Sequence, residues 1–142
     1  MKRSRINQLL REAGEFFQHH QFHLPPFAWW SADDWKRNGP ECRAIIDQQL
    51  GWDLTDFGSG DFDNIGLLLF TCRNGTLADV DDPRGKSYCE KIMIVRENQV
   101  TPEHFHHQKM EDIINRGGGR LVIRMWNATD DDQLADTPVT VL

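Results

Sequence analysis

Two histidines and a glutamate, His104, His106 and Glu111, stand at the spacing His-x-His-x(4)-Glu, with Gly118 following. Alternate side chains of a β-strand share a face, so His104 and His106 project the same way on a strand. A chain reversal at about Gln108 and Lys109 brings Glu111 back opposite His106, roughly 5 Å away across an antiparallel pair. Two imidazoles and a carboxylate then converge, a donor set that suits a divalent transition metal with positions left open for a substrate. The bland alternative is an exposed polar hairpin. The apolar runs on either side argue against it, because one face of the hairpin should then look into a core or a cavity.

Lys91 is the next candidate. By strand parity it shares a face with Cys89, Met93 and Val95, which reads as an inward face, and a lysine there costs stability unless it is paired or used. It could donate hydrogen bonds to a substrate hydroxyl or a developing oxyanion. His107 has the wrong parity to join its neighbours. His19, His20 and His23 read as cations near a helix C-terminus rather than as a second metal site. Residues 61–66 look superficially like a calcium loop, but Ile65 and Cys72 occupy ligand positions, which excludes it. Trp29, Trp30 and Trp35 read as a packing cluster, with a sugar-stacking platform as the alternative.

These residues need elements to hold them. Ile6, Leu9, Leu10, Ala13, Phe16 and Phe17 recur at helical spacing, which predicts an amphipathic helix over residues 4–20, and Pro25-Pro26 bars its continuation. A second helix is expected over 40–50, with Pro40 in its first turn and Gly51 as its stop. From Gly51 onward short apolar runs alternate with Gly, Asn and Asp, the mark of antiparallel β-structure. Strands are expected at 65–72, 88–95, 103–107, 111–115, 120–126 and 139–142, with turns at Asn74-Gly75, Arg84-Gly85 and Gly117-Gly118-Gly119. The predicted fold is mainly β with N-terminal helices, a barrel or jelly roll over 51–142 with a helical segment over 1–50 packed on it.

Composition narrows the function. A net charge of −6 with scattered basic residues disfavours nucleic acid, whose phosphates need clustered Lys and Arg. The longest apolar stretch, residues 65–70, is too short to span a membrane, and Met1-Lys2-Arg3-Ser4-Arg5 leads into an amphipathic segment instead of a signal peptide. Cys42, Cys72 and Cys89 form an odd, widely spaced set, expected as buried thiols of a cytoplasmic protein.

The run Glu103-His104-Phe105-His106 through Glu111 to Gly119 resembles the first conserved motif of the cupin superfamily. Tyr88-Cys89-Glu90-Lys91, then a strand, then Thr101-Pro102-Glu103-His104-Phe105-His106 is similar to the D-lyxose isomerase branch of cupins, and so are residues 56–60 and 66–70. The resemblance covers residues 50–126. The family pattern has a glycine six positions before the first histidine; here Asn98 stands there, and Asn tolerates the left-handed conformation. The second cupin motif, with its fourth histidine ligand, is absent, since all six histidines lie at or before position 107. A cupin barrel that is incomplete, in a chain truncated at its C-terminus, is therefore expected.

The resemblance implies a metal-dependent aldose-ketose isomerase that interconverts D-lyxose and D-xylulose, with D-mannose and D-fructose as a related pair, through a cis-enediol or enediolate. His104, His106 and Glu111 would hold the divalent ion, most simply manganese, with zinc, iron, cobalt or nickel able to use the same donors. Lys91 and Glu111 are the residues placed at the chemistry. Glu103 and Glu90 are the local carboxylates, and neither is assigned as the proton-shuttling base. A cupin dioxygenase uses the same metal triad, and a sugar-binding cupin without turnover is the non-enzymatic alternative. An incomplete barrel exposes edge strands, so a homodimer is expected.

Overall fold

The predicted first helix is α1, Arg3–His19, and Leu9, Ala13 and Phe17, four residues apart, are its buried stripe. The computed structural model describes the chain except residues 77, 78, 80, 108, 109 and 142, and at 39 and 40 it describes the backbone alone. α1 stops well before Pro25-Pro26. Gln21 turns left-handed (φ 56°), and Phe22 N–H donates to Phe17 O (2.8 Å) while Gln21 N–H donates to Gln18 O (3.0 Å). These bonds form a Schellman stop with glutamine where glycine is usual.

α2, Ala32–Asn38, lies in the aromatic stretch that the sequence presents as a connector. Ser31 and Asp34 start it reciprocally: Asp34 N–H donates to Ser31 Oγ (3.2 Å) and Ser31 N–H donates to Asp34 Oδ2 (2.9 Å). The pair is a capping box with aspartate in place of glutamate. The helix expected over 40–50 is shorter, α3, Arg43–Asp47. It ends as α1 does: Gln49 is left-handed (φ 53°), and Leu50 N–H and Gln49 N–H donate to Ile45 O and Ile46 O, each at 3.0 Å.

Three strands follow, β1 (Gly51–Thr55), β2 (Leu67–Arg73) and β3 (Glu90–Ile94), in an antiparallel sheet of that order. β1 was not expected, because Gly51 reads as a helix stop and only five residues separate it from the next turn signals. In register, Trp52 faces Phe70 and Phe70 faces Ile92, while Leu54 faces Leu68 and Leu68 faces Ile94. These residues form the face on which the helices pack, in two clusters centred on Leu9, Ala13, Phe62 and Leu68 and on Phe17, Leu24 and Phe70. Phe70 is fully buried, worth roughly 1.5–3 kcal/mol over exposure. Trp52 joins this packing: its Nε1 donates to Ala28 O (2.9 Å), and the exposed Trp29 meets it edge-on at 5.9 Å. Trp30 and Trp35 lie edge to face at 4.8 Å.

The chain divides into two compact units, residues 1–104 and 105–142. In the second, the described regular structure is a short hairpin of β4 (Asn127–Ala128) and β5 (Leu134–Ala135). Its acidic turn is closed by Thr129, which donates to Asp131 Oδ1 (2.5 Å) and accepts from Gln133 N–H (3.0 Å). The strands expected at 103–107, 111–115 and 120–126 are not formed by their described residues, nor is one at 139–141, and Leu142 lies outside the described residues. Strands need pairing partners, and among the described residues these runs have none. The sheets are antiparallel as expected, but they close no barrel among the described residues.

Candidate functional site

The segment leading to His104 is held by a clasp between α1, residues 61–66 and the turn after β3. Arg96 pairs with Glu12 and with Asp63, the latter at 2.9 Å, and Arg5 reaches the same Asp63 at 2.6 Å. The Arg96 guanidinium also lies over the Phe62 ring, 5.8 Å from its centroid. Asn98, the residue standing where the family pattern has glycine, is left-handed (φ 59°), and Gln99 N–H closes its turn on Arg96 O (3.1 Å). Asparagine therefore makes the turn, as its tolerance of that region allows. The buried Gln99 side chain donates to Phe62 O (2.6 Å). Val100 N–H then donates to Asn64 O (2.8 Å) and Gly66 N–H to Val100 O (3.1 Å). Gly66 cannot carry a side chain, because a Cβ there would stand 2.5 Å from Phe62 O.

His104, at the end of the first unit, has Nδ1 3.0 Å from Pro102 O. A carbonyl only accepts, so Nδ1 carries the proton in this bond, the tautomer in which metal-binding histidines commonly hold their ring. In the second unit, His106 Nε2 lies 3.6 Å from Glu111 Oε2, with both side chains about one-third exposed or more (35% and 40%). Donors bound to one cation at about 2.0–2.2 Å stand about 3–3.5 Å apart, so this pair fits a shared ion after a small side-chain adjustment. The reversal expected at Gln108 and Lys109 lies outside the described residues. Among the described residues no group of three His, Cys, Asp or Glu side chains is assembled to hold a metal ion.

His107 turns elsewhere, 4.0 Å from Asp132 and edge-on to Phe105 at 4.9 Å. His19 and His20 meet edge-on at 5.1 Å, and His20 stacks near Phe16 at 4.3 Å. Lys91 lies on β3 with Met93 on its own face, as parity requires, but that face is not the inward one. Ile92 and Ile94 pack toward the helices, which leaves Lys91 and Met93 exposed. Glu90, a local carboxylate, is paired with Arg73. The cysteines are free, but they are not the buried set expected: Cys42 and Cys72 are half-buried and Cys89 is exposed. Partial burial pushes the Cys72 thiol up, with Glu90 adding to it. Thr71, a polar residue in an otherwise apolar run, is buried beside Lys91.

The first unit is an antiparallel sheet backed by helices, and the second brings an imidazole and a carboxylate into donor contact: a β-protein carrying metal-type donors. The family model described as D-lyxose isomerase matches residues 1–142, and the chain belongs to that family. It is 49% identical, over its whole length, to a D-lyxose/D-mannose isomerase of Escherichia coli O157:H7 and covers 62% of that protein. It is also 49% identical over 99% of its length to a D-lyxose/D-mannose isomerase of Serratia proteamaculans, covering 61% of it. The chain thus spans about three fifths of the length of these relatives. Among the described residues, no helix is long and apolar enough to cross a membrane.

Proposed function

We propose that this chain carries the cation-binding and lysine-bearing part of an aldose-ketose isomerase acting on D-lyxose and D-xylulose, with D-mannose and D-fructose as a related pair. Family membership over residues 1–142 and relatives named D-lyxose/D-mannose isomerase support the substrate class. The observation that carries the chemistry is the His106–Glu111 donor pair at 3.6 Å. His104, His106 and Glu111 would hold the divalent ion, manganese being preferred because mixed nitrogen and oxygen donors with sugar oxygens suit a hard-to-borderline cation. Such an ion supplies positive charge against the carbonyl oxygen, where negative charge grows as the proton leaves C2. Pro102 O, 3.0 Å from Nδ1, orients the His104 ring. Lys91 is assigned to donate a hydrogen bond to a sugar oxygen. Glu111, its charge committed to the cation, and Glu90, paired with Arg73, are poorly suited to shuttle the proton. The cupin character of the fold belongs to this same reading.

Metal analysis after dialysis against manganese, with conversion of D-lyxose followed by ketose formation, tests the proposal. Retention and turnover in the wild type, both lost in His106→Ala and Glu111→Gln, are the expected results. A chain that retains no manganese and forms no ketose refutes it. The reading includes a homodimer, because both β1 and β3 are sheet edges among the described residues and unpaired edges invite another copy. Light scattering that shows only monomer removes that part.

A further inference from the structure

One row of the sheet runs Gly51, Thr71, Lys91: Gly51 opposes Thr71 and Thr71 opposes Lys91. Directly opposed residues on antiparallel strands project from one face with Cβ atoms about 5 Å apart. Their chain neighbours Phe70, Cys72 and Ile92 pack toward the helices, so Thr71 and Lys91 share the opposite face. Thr71 is only 5% exposed, yet its side chain enters none of the hydrogen bonds among the described residues. No side-chain oxygen or nitrogen sealed from solvent lacks a partner among them. The Thr71 hydroxyl is therefore not sealed from solvent. Arg73 and Glu90 pair with each other across the bulge that follows this row. Lys91 has no ion pair among the described residues, and bulges commonly flank sites because they re-aim side chains.

A hydroxyl that can both donate and accept beside an ammonium that only donates complements two neighbouring oxygens of a polyol. We propose that Thr71 is a substrate-binding residue, which together with Lys91 holds two adjacent hydroxyl oxygens of the sugar. The proposal rests on the isomerase reading and assigns one residue more to it. The competing explanation is that a β-branched residue simply suits a central strand. Valine keeps that shape and removes only the hydroxyl.

The test measures unfolding temperature and D-lyxose affinity, by titration calorimetry, for the manganese-loaded 142-residue chain and for Thr71→Val, Thr71→Ser and Lys91→Met. We expect Thr71→Val to unfold at the same temperature or higher while binding D-lyxose about tenfold more weakly, as loss of a substrate hydrogen bond implies. Thr71→Ser should stay within about threefold of wild type. Unchanged affinity in Thr71→Val, with Lys91→Met impaired, overturns the Thr71 assignment and leaves the isomerase reading standing. A lowered unfolding temperature in Thr71→Val makes the hydroxyl structural and also overturns it. Absence of sugar binding by the wild type overturns both.

Discussion

Residues 51–94 and residues 105–126 share one kind of sequence, short apolar runs punctuated by Gly, Asn and Asp, but only the first is a sheet. In β2, Leu68, Leu69 and Phe70 are 4%, 6% and 0% exposed; in the later segment Met110, Ile114 and Val122 are 94%, 74% and 81% exposed. The apolar content is comparable. The difference is that β2 has a strand on each side and helices on one face, whereas residues 110–126 pair with no strand among the described residues. An apolar run gains its roughly 25 cal/mol per Å² only when something removes it from water, and in β-structure that something is distant in sequence.

The sharpest test of this contrast is a pair of truncations. Phe70→Ala should cost about 3–5 kcal/mol, since it empties the centre of a cluster. Val122→Ala should stay within about 0.5 kcal/mol. Urea unfolding reads both, and a comparable loss for the two would show that residue 122 is packed in solution. Next in size, Gly66→Ala should cost about 1–3 kcal/mol by forcing Phe62 O and Gln99 apart. It should also loosen the approach to His104, visible as faster amide exchange at Val100.

A smaller effect concerns the clasp. The Arg96 guanidinium beside Glu12 holds its carboxyl below its ordinary value of 4.5. The folded value lies below the unfolded one, so the pair's stabilisation is complete above pH 4.5 and disappears as pH falls through the folded value. The pair is partly exposed, so the gain is a few tenths of a kcal/mol. Glu12→Gln should flatten the acid limb of stability against pH by that amount and have no effect once the pH is below the folded value. The smallest effect is kinetic and energetically silent: at pH 8 iodoacetamide should modify exposed Cys89 well before half-buried Cys72, whose thiol is held protonated. Equal rates, read by peptide mass mapping, would mean that the β2–β3 edge opens readily.

Several features are legible in the sequence. The Leu9, Ala13 and Phe17 stripe announced α1, and Asn98 could be read as a left-handed turn residue. Others were written in unfamiliar spelling. Two helices end on left-handed glutamines where glycine is the usual signal, and α2 begins with Ser31 and Asp34, a short form of the capping box hidden in an aromatic stretch. Lys91 shows the limit of parity: alternation correctly gave it a common face with Met93 but could not say which face the helices cover.

The sequence by itself determined the elements whose stabilising partners lie a few residues away: the amphipathic stripe, the turns, and the His-x-His-x(4)-Glu spacing that sets the possible donors. Tertiary structure alone decided which side of the sheet became core, that Thr71 would lie beside Lys91, and that Arg96 would bridge Glu12 and Asp63. Those outcomes depend on contacts between residues tens of positions apart. Local spacing limits such contacts but does not choose among them, because the choice is made by the competition of whole surfaces for burial.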